Sequence, residues 1–208
     1  MIIAVDGPTA SGKGTIARAL AEHFHLPYLD TGLLYRAVGR QVQLNDGDAD
    51  NAEDALTECD FADGLLDDPV LRDEDIGGLA SRVSVHPDVR AALNKRQVDF
   101  AKQLGGAVLD GRDIGTVIAP DADAKLFITA SPEIRAKRRQ SENAPGGRSY
   151  ADMLADVIAR DERDMNRAEA PLRPAGDALL LDTSDLTIGD AVQRAIALVD
   201  AQIRSRSK

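Results

Sequence analysis

Apolar residues along the chain come in two spacings, and the places where one gives way to the other divide the sequence into repeated strand-and-helix units. Residues 2–5, Ile-Ile-Ala-Val, form a short unbroken apolar run rich in β-branched side chains; beyond a glycine-rich segment, Ile16, Leu20 and Phe24 follow at intervals of four. The first pattern predicts a buried strand and the second a helix. The succession returns at residues 107–109, at residues 125–129 ahead of a helix opened by Ser131-Pro132, and at residues 178–181 ahead of Val192, Ile196, Val199 and Ile203. Strands alternating with helices predict an α/β fold whose mostly parallel sheet is covered on both faces. Ligands in such folds bind outside the carboxyl ends of the strands, so function is expected in the loops that follow them.

Two stretches interrupt the alternation. Residues 44–78 hold thirteen Asp and Glu against one basic residue, Arg72, a net of −12 in a chain of net −10, which leaves the remainder at +2. The acidity is local, and the rest of the chain is free to hold anions. After it, Val89, Leu93, Phe100 and Leu104 predict a helix closed by Gly105-Gly106. These features place an insertion at about residues 31–105. The second interruption, residues 141–148, is Ser-Glu-Asn-Ala-Pro-Gly-Gly-Arg between two basic helical segments and reads as the tip of a short lid. The expected scheme is one domain, with a core over about residues 1–30, 106–135 and 169–208, the insertion, and a lid over about residues 136–168.

Composition narrows the class. With 208 residues, 43% hydrophobic and 29% charged, the chain reads as a soluble globular domain, not a disordered or fibrous one. No apolar run approaches the ~18 residues of a membrane span and the first residues lack the pattern of a secretion signal, so a cytosolic location is expected, with no membrane partner. The lone Cys59 excludes an intramolecular disulfide and a cysteine-rich zinc site. Net negative charge argues against a nucleic-acid polymer as partner. His23, His25 and His86 read as structural or surface residues.

The strongest chemical signal joins the first strand to the first helix: Gly7-Pro8-Thr9-Ala10-Ser11-Gly12-Lys13-Gly14-Thr15. Glycines let successive backbone N–H groups turn inward, the helix N-terminus adds positive dipole, and Lys13 is placed to reach the β and γ phosphates of a nucleoside triphosphate. One residue departs from the general phosphate-loop pattern. Gly14 stands where a Ser or Thr hydroxyl usually meets Mg²⁺, and the hydroxyl comes one position later at Thr15. No direct protein ligand to the metal is assigned; Mg²⁺ is expected to be held through ATP phosphates and waters near Thr15.

The second substrate decides among switch, synthase and kinase. The only Asn-Lys pair, Asn94-Lys95, lacks the acid that guanine recognition needs. Arginines are plentiful instead, and their bidentate fork suits phosphate oxygens. Arg112 follows the strand at residues 107–109 in the segment Asp110-Gly111-Arg112-Asp113. Farther on, Arg160, Arg163, Asp164 and Arg167 fall at i, i+3, i+4 and i+7, hence on one helical face, with Leu154, Val157, Ile158 and Met165 on an apolar stripe roughly 130° away. The charged face is therefore expected outside the core. Asp30-Thr31-Gly32 ahead of Tyr35-Arg36, and Ser81 nine residues before Arg90, are weaker signals; Thr31 also suits a helix cap.

Together these segments resemble the bacterial cytidylate kinases, a branch of the nucleoside monophosphate kinases with a P-loop kinase fold. The resemblance spans nearly the whole chain and rests on IAVDGPTASGKGT, YLDTGLLYRA, the stretch from Ala80 to Leu93, DGRDIGTVIAPDADAKLFITAS, Arg135-Ala-Lys-Arg-Arg139 and RDERDMNRAEAPLRPA. It implies transfer of the γ-phosphoryl group of ATP to CMP or dCMP, with Mg²⁺ as cofactor. A monomer is expected. Carried over by position, residues 7–15 bind ATP, with Lys13 on its phosphates. Asp30, Thr31, Ser81, Arg90 and Asp113 lie around the cytidine, the last three reading the base. Arg160 and Asp164 face the sugar, and Arg36, Arg112 and Arg167 hold the acceptor phosphate. Lys13, Arg112, Arg160 and Arg167 are the expected catalytic group. Other P-loop kinases, for shikimate, gluconate or dephospho-coenzyme A, and a nucleotide-responsive binding module are the competing readings.

Overall fold

A computed structural model describes residues 1–142 and 148–206. The expected lid tip falls largely on residues 143–147 and so lies outside the described residues. By internal contacts the chain divides into two compact units, Met1–Leu29 with Ala101–Lys208, and Asp30–Phe100.

The first unit is built on a five-stranded sheet of order β2-β3-β1-β4-β5, with β1 at Ile2–Asp6, β2 at Tyr28–Asp30, β3 at Ala107–Gly111, β4 at Ala124–Thr129 and β5 at Leu179–Asp182. β1 pairs in parallel with β3 and β4, and β4 with β5. Its central strands are the apolar runs, because strands buried on both faces must be apolar throughout. Helices α1 (Lys13–Phe24) and α8 (Ile188–Arg206) cover one face, with Ile3, Val5, Leu126 and Ile128 of the sheet meeting Ile16 and Leu20 of α1 and Ala195 and Val199 of α8. Parallel pairing puts the carboxyl ends of β1, β3, β4 and β5 on one edge. From that edge spring the glycine loop, the Arg112 loop, the start of α6 (Pro132–Glu142) and the turn before α8. Helix α7 (Tyr150–Asn166) packs on α6 and opens with a capping box in which Ser149 and Asp152 satisfy each other's backbone N–H groups.

The second unit is helical: α2 (Thr31–Leu44), α3 (Ala52–Thr57), two 3₁₀ turns at Asp63–Asp67 and Pro69–Arg72, α4 (Glu74–Val83), and most of α5 (Pro87–Ala101). Its own core gathers Leu34, Val38, Phe61, Leu71, Val83 and Leu93. α2 and α4 meet at Gly39, where a Cβ would stand 2.8 Å from the Cβ of Leu79.

Three expectations need correction. The helix read as running to Leu104 ends at Ala101, and Leu104 is fully exposed, because Gly105 and Gly106 at φ +91° and +88° turn the chain only after α5 has ended. β2 went unforeseen, since three residues are too few for any period to register. Thr31 is not the cap of α2: Asp30 is, its carboxylate accepting from the Gly32 N–H at 3.0 Å. Among the described residues, no helix is long and apolar enough to cross a membrane.

Candidate active site

The glycine loop leaves β1 at Gly7, whose α-carbon lies so close to β4 that a side chain there would collide with the Ile128 carbonyl. Ala10 and Gly12 take φ of +57° and +88°, and α1 begins at Lys13, so the loop ends on a helix N-terminus. Two arginines of α6 grip the loop from outside. Arg135 Nη1 donates to the Thr9 carbonyl at 3.2 Å, and Arg138 Nη1 to the Ser11 carbonyl at 3.3 Å, which also accepts from Thr183 Oγ1 at 2.9 Å. Arg135 is buried and is held in turn by both carboxylate oxygens of Asp161 on α7. A cavity of about 440 Å³ opens over the loop, lined among others by Lys13, Arg18 and Arg138 and by Thr183, Leu186 and Ile188. Three cations beside an apolar wall suit a polyphosphate joined to a planar base.

Gly14 has a structural reason. A Cβ there would stand 3.1 Å from Oδ2 of Asp110, the same oxygen that accepts from the Tyr28 hydroxyl at 2.9 Å. Asp110 is buried at the end of β3 and was not among the expected site residues. A carboxylate closing an otherwise apolar strand was the signal that could have found it. Its oxygen and the Thr15 hydroxyl are hard donors of the kind Mg²⁺ accepts through its water shell. Among the described residues, no group of three or more His, Cys, Asp or Glu forms a metal cage, so the set fits a metal carried mainly by its nucleotide.

Still within the first unit, the loop after β3 brings Arg112 and Asp113 to a cluster on α7. Arg112 Nε donates to Asp164 Oδ2 at 2.9 Å, and Arg167 approaches Asp113 at 4.0 Å while its Nε and Nη2 donate to the Ala170 carbonyl. Burial pushes the Asp164 carboxyl upward, but Arg112, Arg167 and Arg160 outweigh it and hold the group below the usual carboxylate range. The charged face of α7 is thus buried, not outside the core, and of the expected apolar stripe only Val157 is fully buried. Arg160 and Asp164 are buried with Met153 and Val157, whereas Ile158 and Met165 are 42% and 52% exposed. Opposite charges that neutralise each other can enter the interior, and here they take the stripe that apolar spacing had assigned elsewhere. Arg167 lies one residue past the helix, with ψ 141°, so an extended turn and not the i+7 spacing brings it back to Asp113.

The second unit holds its own set. Thr31 is buried in the first turn of α2, and Arg36 Nη1 donates to the carbonyls of Leu71 and Asp73 at 2.7 and 2.8 Å. Arg90 is buried with its guanidinium 5.6 Å from the ring centre of Tyr35, donating to the Ser84 carbonyl at 3.4 Å, while Ser84 Oγ donates to the Ser81 carbonyl. Ser81, Arg90 and Tyr35 therefore form one polar group inside a helical unit, a sensible reader of a small polar ring.

Comparison with known proteins gives the family. The family model described as cytidylate kinase matches residues 3–201. A cytidylate kinase of Cereibacter sphaeroides is 56% identical over 200 residues, covering 95% of this chain and 94% of the relative. One of Xanthobacter autotrophicus is 55% identical over 212 residues, covering 99% and 100%. Among solved structures, a gluconokinase of Sinorhizobium meliloti has TM-score 0.55 at 15% identity over 99% of this chain and 94% of its own, and a shikimate kinase of Bacteroides thetaiotaomicron has TM-score 0.51 at 15% identity over 96% and 98%. Those two likenesses speak for the P-loop kinase fold alone. Sequence agreement at this level over nearly the full length goes further, and the chain belongs to the cytidylate kinase family.

Proposed function

We propose that this kinase transfers the γ-phosphoryl group of ATP to CMP and dCMP with the acceptor phosphate held by Arg112 and Arg167. The observation that carries the assignment is the buried cluster in which those two arginines and Arg160 surround Asp164 and Asp113. Arginines already oriented by carboxylates need little rearrangement to meet a phosphate, and positioning with charge neutralisation is most of what phosphoryl transfer demands. Arg36 of the second unit is assigned to the same phosphate, and Thr31, Ser81 and Arg90 to the cytidine with Asp113. Asp30 serves by capping the helix that carries Thr31. Asp113 accepts from the exocyclic amine of cytosine and Arg90 donates to its ring acceptors, a pairing that uracil cannot match at the amine position. Asp164 and Arg160 are assigned to the sugar hydroxyls.

On the donor side, the loop N–H groups and Lys13 bind the β and γ phosphates, and Lys13 follows the transferring group as charge develops on it. Mg²⁺, when bound with ATP, neutralises phosphate charge; Asp110 and Thr15 would hold its water shell. No side chain is needed as a general base, because the attacking group is already a phosphate oxygen. The residues of α6 and α7 act as the lid that excludes water. The reading expects a cytosolic enzyme.

The test is ADP release from Mg·ATP with CMP, dCMP, UMP, AMP and GMP in turn. Strong turnover with CMP and dCMP, weak with UMP and none with the purines is the expected pattern. Equal use of UMP would remove Asp113 and Arg90 as base readers.

A further inference from the structure

Asp6 is the last residue of β1, immediately before the glycine loop, and is 4% exposed. Its carboxylate does not turn toward that loop. Oδ1 accepts from the Ile114 N–H and Oδ2 from the Gly115 N–H, both at 2.8 Å, so the side chain grips the segment that follows Arg112 and Asp113. That segment, Ile114–Ile118, is a π-helical turn, a geometry that seldom persists without outside support. Ile114 is fully buried, and a Cβ on Gly115 would stand 3.3 Å from Asp6 Oδ2, so a larger residue would crowd the grip. A buried carboxylate is costly when, as among the described residues here, no ion-paired partner touches it, and its two charge-assisted hydrogen bonds to backbone are what it gives in return.

We propose that Asp6 is a positioning residue of the kinase: by holding the N–H groups of Ile114 and Gly115 it fixes the loop that presents Arg112 and Asp113 to the acceptor nucleotide. The inference rests on the assignment of Arg112 and Asp113 to that nucleotide. It ties the root of the donor loop to the acceptor loop through a single side chain, so both substrates are registered against the end of one strand.

The charged surroundings of Asp6 are Arg112 and Asp113 on the loop itself, Asp110 on β3, whose carboxylate turns to Tyr28, and Lys125 on β4, whose stem passes Gly115 and whose ammonium goes to Asp177 and the Pro120 carbonyl. Burial, with Asp113 adding to it, pushes the Asp6 carboxyl up to about 7 despite the two backbone N–H groups and Arg112. Protonation places an O–H where an N–H already points, and one of the two bonds weakens. The carboxylate therefore makes both bonds above neutrality and the protonated acid one below it, although burial favours the acid form in the folded chain.

Asp6→Asn is the direct variant, since its amide group opposes one of the two N–H donors at nearly constant volume. At pH 8 the expected result is a fall of at least tenfold in kcat/KM for CMP and a narrowed preference for CMP over UMP. KM for ATP should stay within twofold, and the melting temperature should not fall, because a desolvated charge has been removed. A residue with only a structural role would lower the melting temperature and leave the CMP-to-UMP ratio alone. Wild-type values of kcat/KM and of that ratio in Asp6→Asn would overturn the proposal. Arg112→Lys and Asp113→Asn are measured alongside. If both keep wild-type CMP kinetics, the acceptor assignment itself is wrong and the role of Asp6 falls with it; if both lose them while Asp6→Asn does not, only Asp6 is misassigned. Should Asp6→Asn not fold, amide exchange in the wild-type enzyme at pH 8 decides: the Ile114 and Gly115 N–H groups, held by Asp6, should exchange at least about tenfold more slowly than their intrinsic rates, and any faster exchange would overturn the proposal.

Discussion

The pair of Arg112 and Asp164 offers the sharpest test of how the arginine cluster is built. Its atoms stand 2.9 Å apart, with the two side chains 20% and 9% exposed. At an effective dielectric of about 20, two unit charges at that distance attract by about 6 kcal/mol. Desolvation takes back much of this, and removing one partner of a buried pair costs about 3–5 kcal/mol in practice. Arg160 and Arg167 continue to attract Asp164 when Arg112 is gone, so we expect a coupling energy of about 2–3 kcal/mol in a double-mutant cycle of Arg112→Ala and Asp164→Asn. For a chain of this size the single Arg112→Ala change should lower the melting temperature by about 5–10 °C. The assay is urea unfolding of the four proteins at pH 7.5. Asp164 is held below its ordinary value, so its contribution is present above the unfolded carboxylate pKa and disappears as pH falls through the folded one. The coupling should therefore vanish on acidification. Additivity within about 0.5 kcal/mol at pH 7.5 would refute the pairing as an energetic unit, and a coupling that does not weaken as pH is lowered would show that something other than charge produces it.

Three further expectations follow from the same geometry. Lys13→Ala should lower turnover by about three orders of magnitude with unchanged circular dichroism, because Lys13 lines the donor cavity and is no part of the hydrophobic core; retained turnover would remove Lys13 from the mechanism. Arg135→Met should destabilise the first unit by about 3 kcal/mol, as it strips Asp161 of its partner and leaves the Thr9 and Ala130 carbonyls without their donor; Arg135→Met with Asp161→Leu should recover part of this in denaturant titration. For Asp6, a carboxyl raised from 3.8 to about 7 binds its proton more tightly when folded, so stability is greatest at low pH and is lost as pH rises through about 7. The whole loss, between the unfolded and folded values, is of order 4 kcal/mol, of which about 2.7 kcal/mol falls between pH 5 and pH 8, and the difference between wild type and Asp6→Asn in unfolding free energy over that interval should reveal it.

Much of the core could be read from the chain because its signals are local. Unbroken apolar runs became β1, β3, β4 and β5, and the Gly-Lys-Gly-Thr segment lies at the strand-to-helix junction expected for it. What escaped depends on partners distant in sequence. Nothing near Asp164 says that Arg112, fifty-two residues earlier, will neutralise it and let a charged face sink inward. The apolar stripe of Ile158 and Met165 was equally periodic and equally plausible until those charges paired. Asp6 and Asp110 each fall one residue past the apolar runs read as strands, and the sheet register, which sets Asp6 beside Gly111 and Val5 beside Asp110, puts both acids at the edge from which the loops spring. Asp30 and Thr31 compete for one cap, and the choice turns on a backbone angle that composition does not encode.

The two arginines that reach the glycine loop from α6 bear on how strongly the enzyme can hold its donor. A peptide carbonyl already engaged from behind cannot swing inward, and the N–H of the next residue is thereby kept facing the cavity. Thr9 and Ser11 are both fixed in this way. The loop is consequently shaped before any nucleotide arrives, and little of the attraction between phosphate and backbone is consumed in ordering flexible chain. Small tetrahedral anions, which have no base or sugar to add affinity, should find the same cradle ready-made.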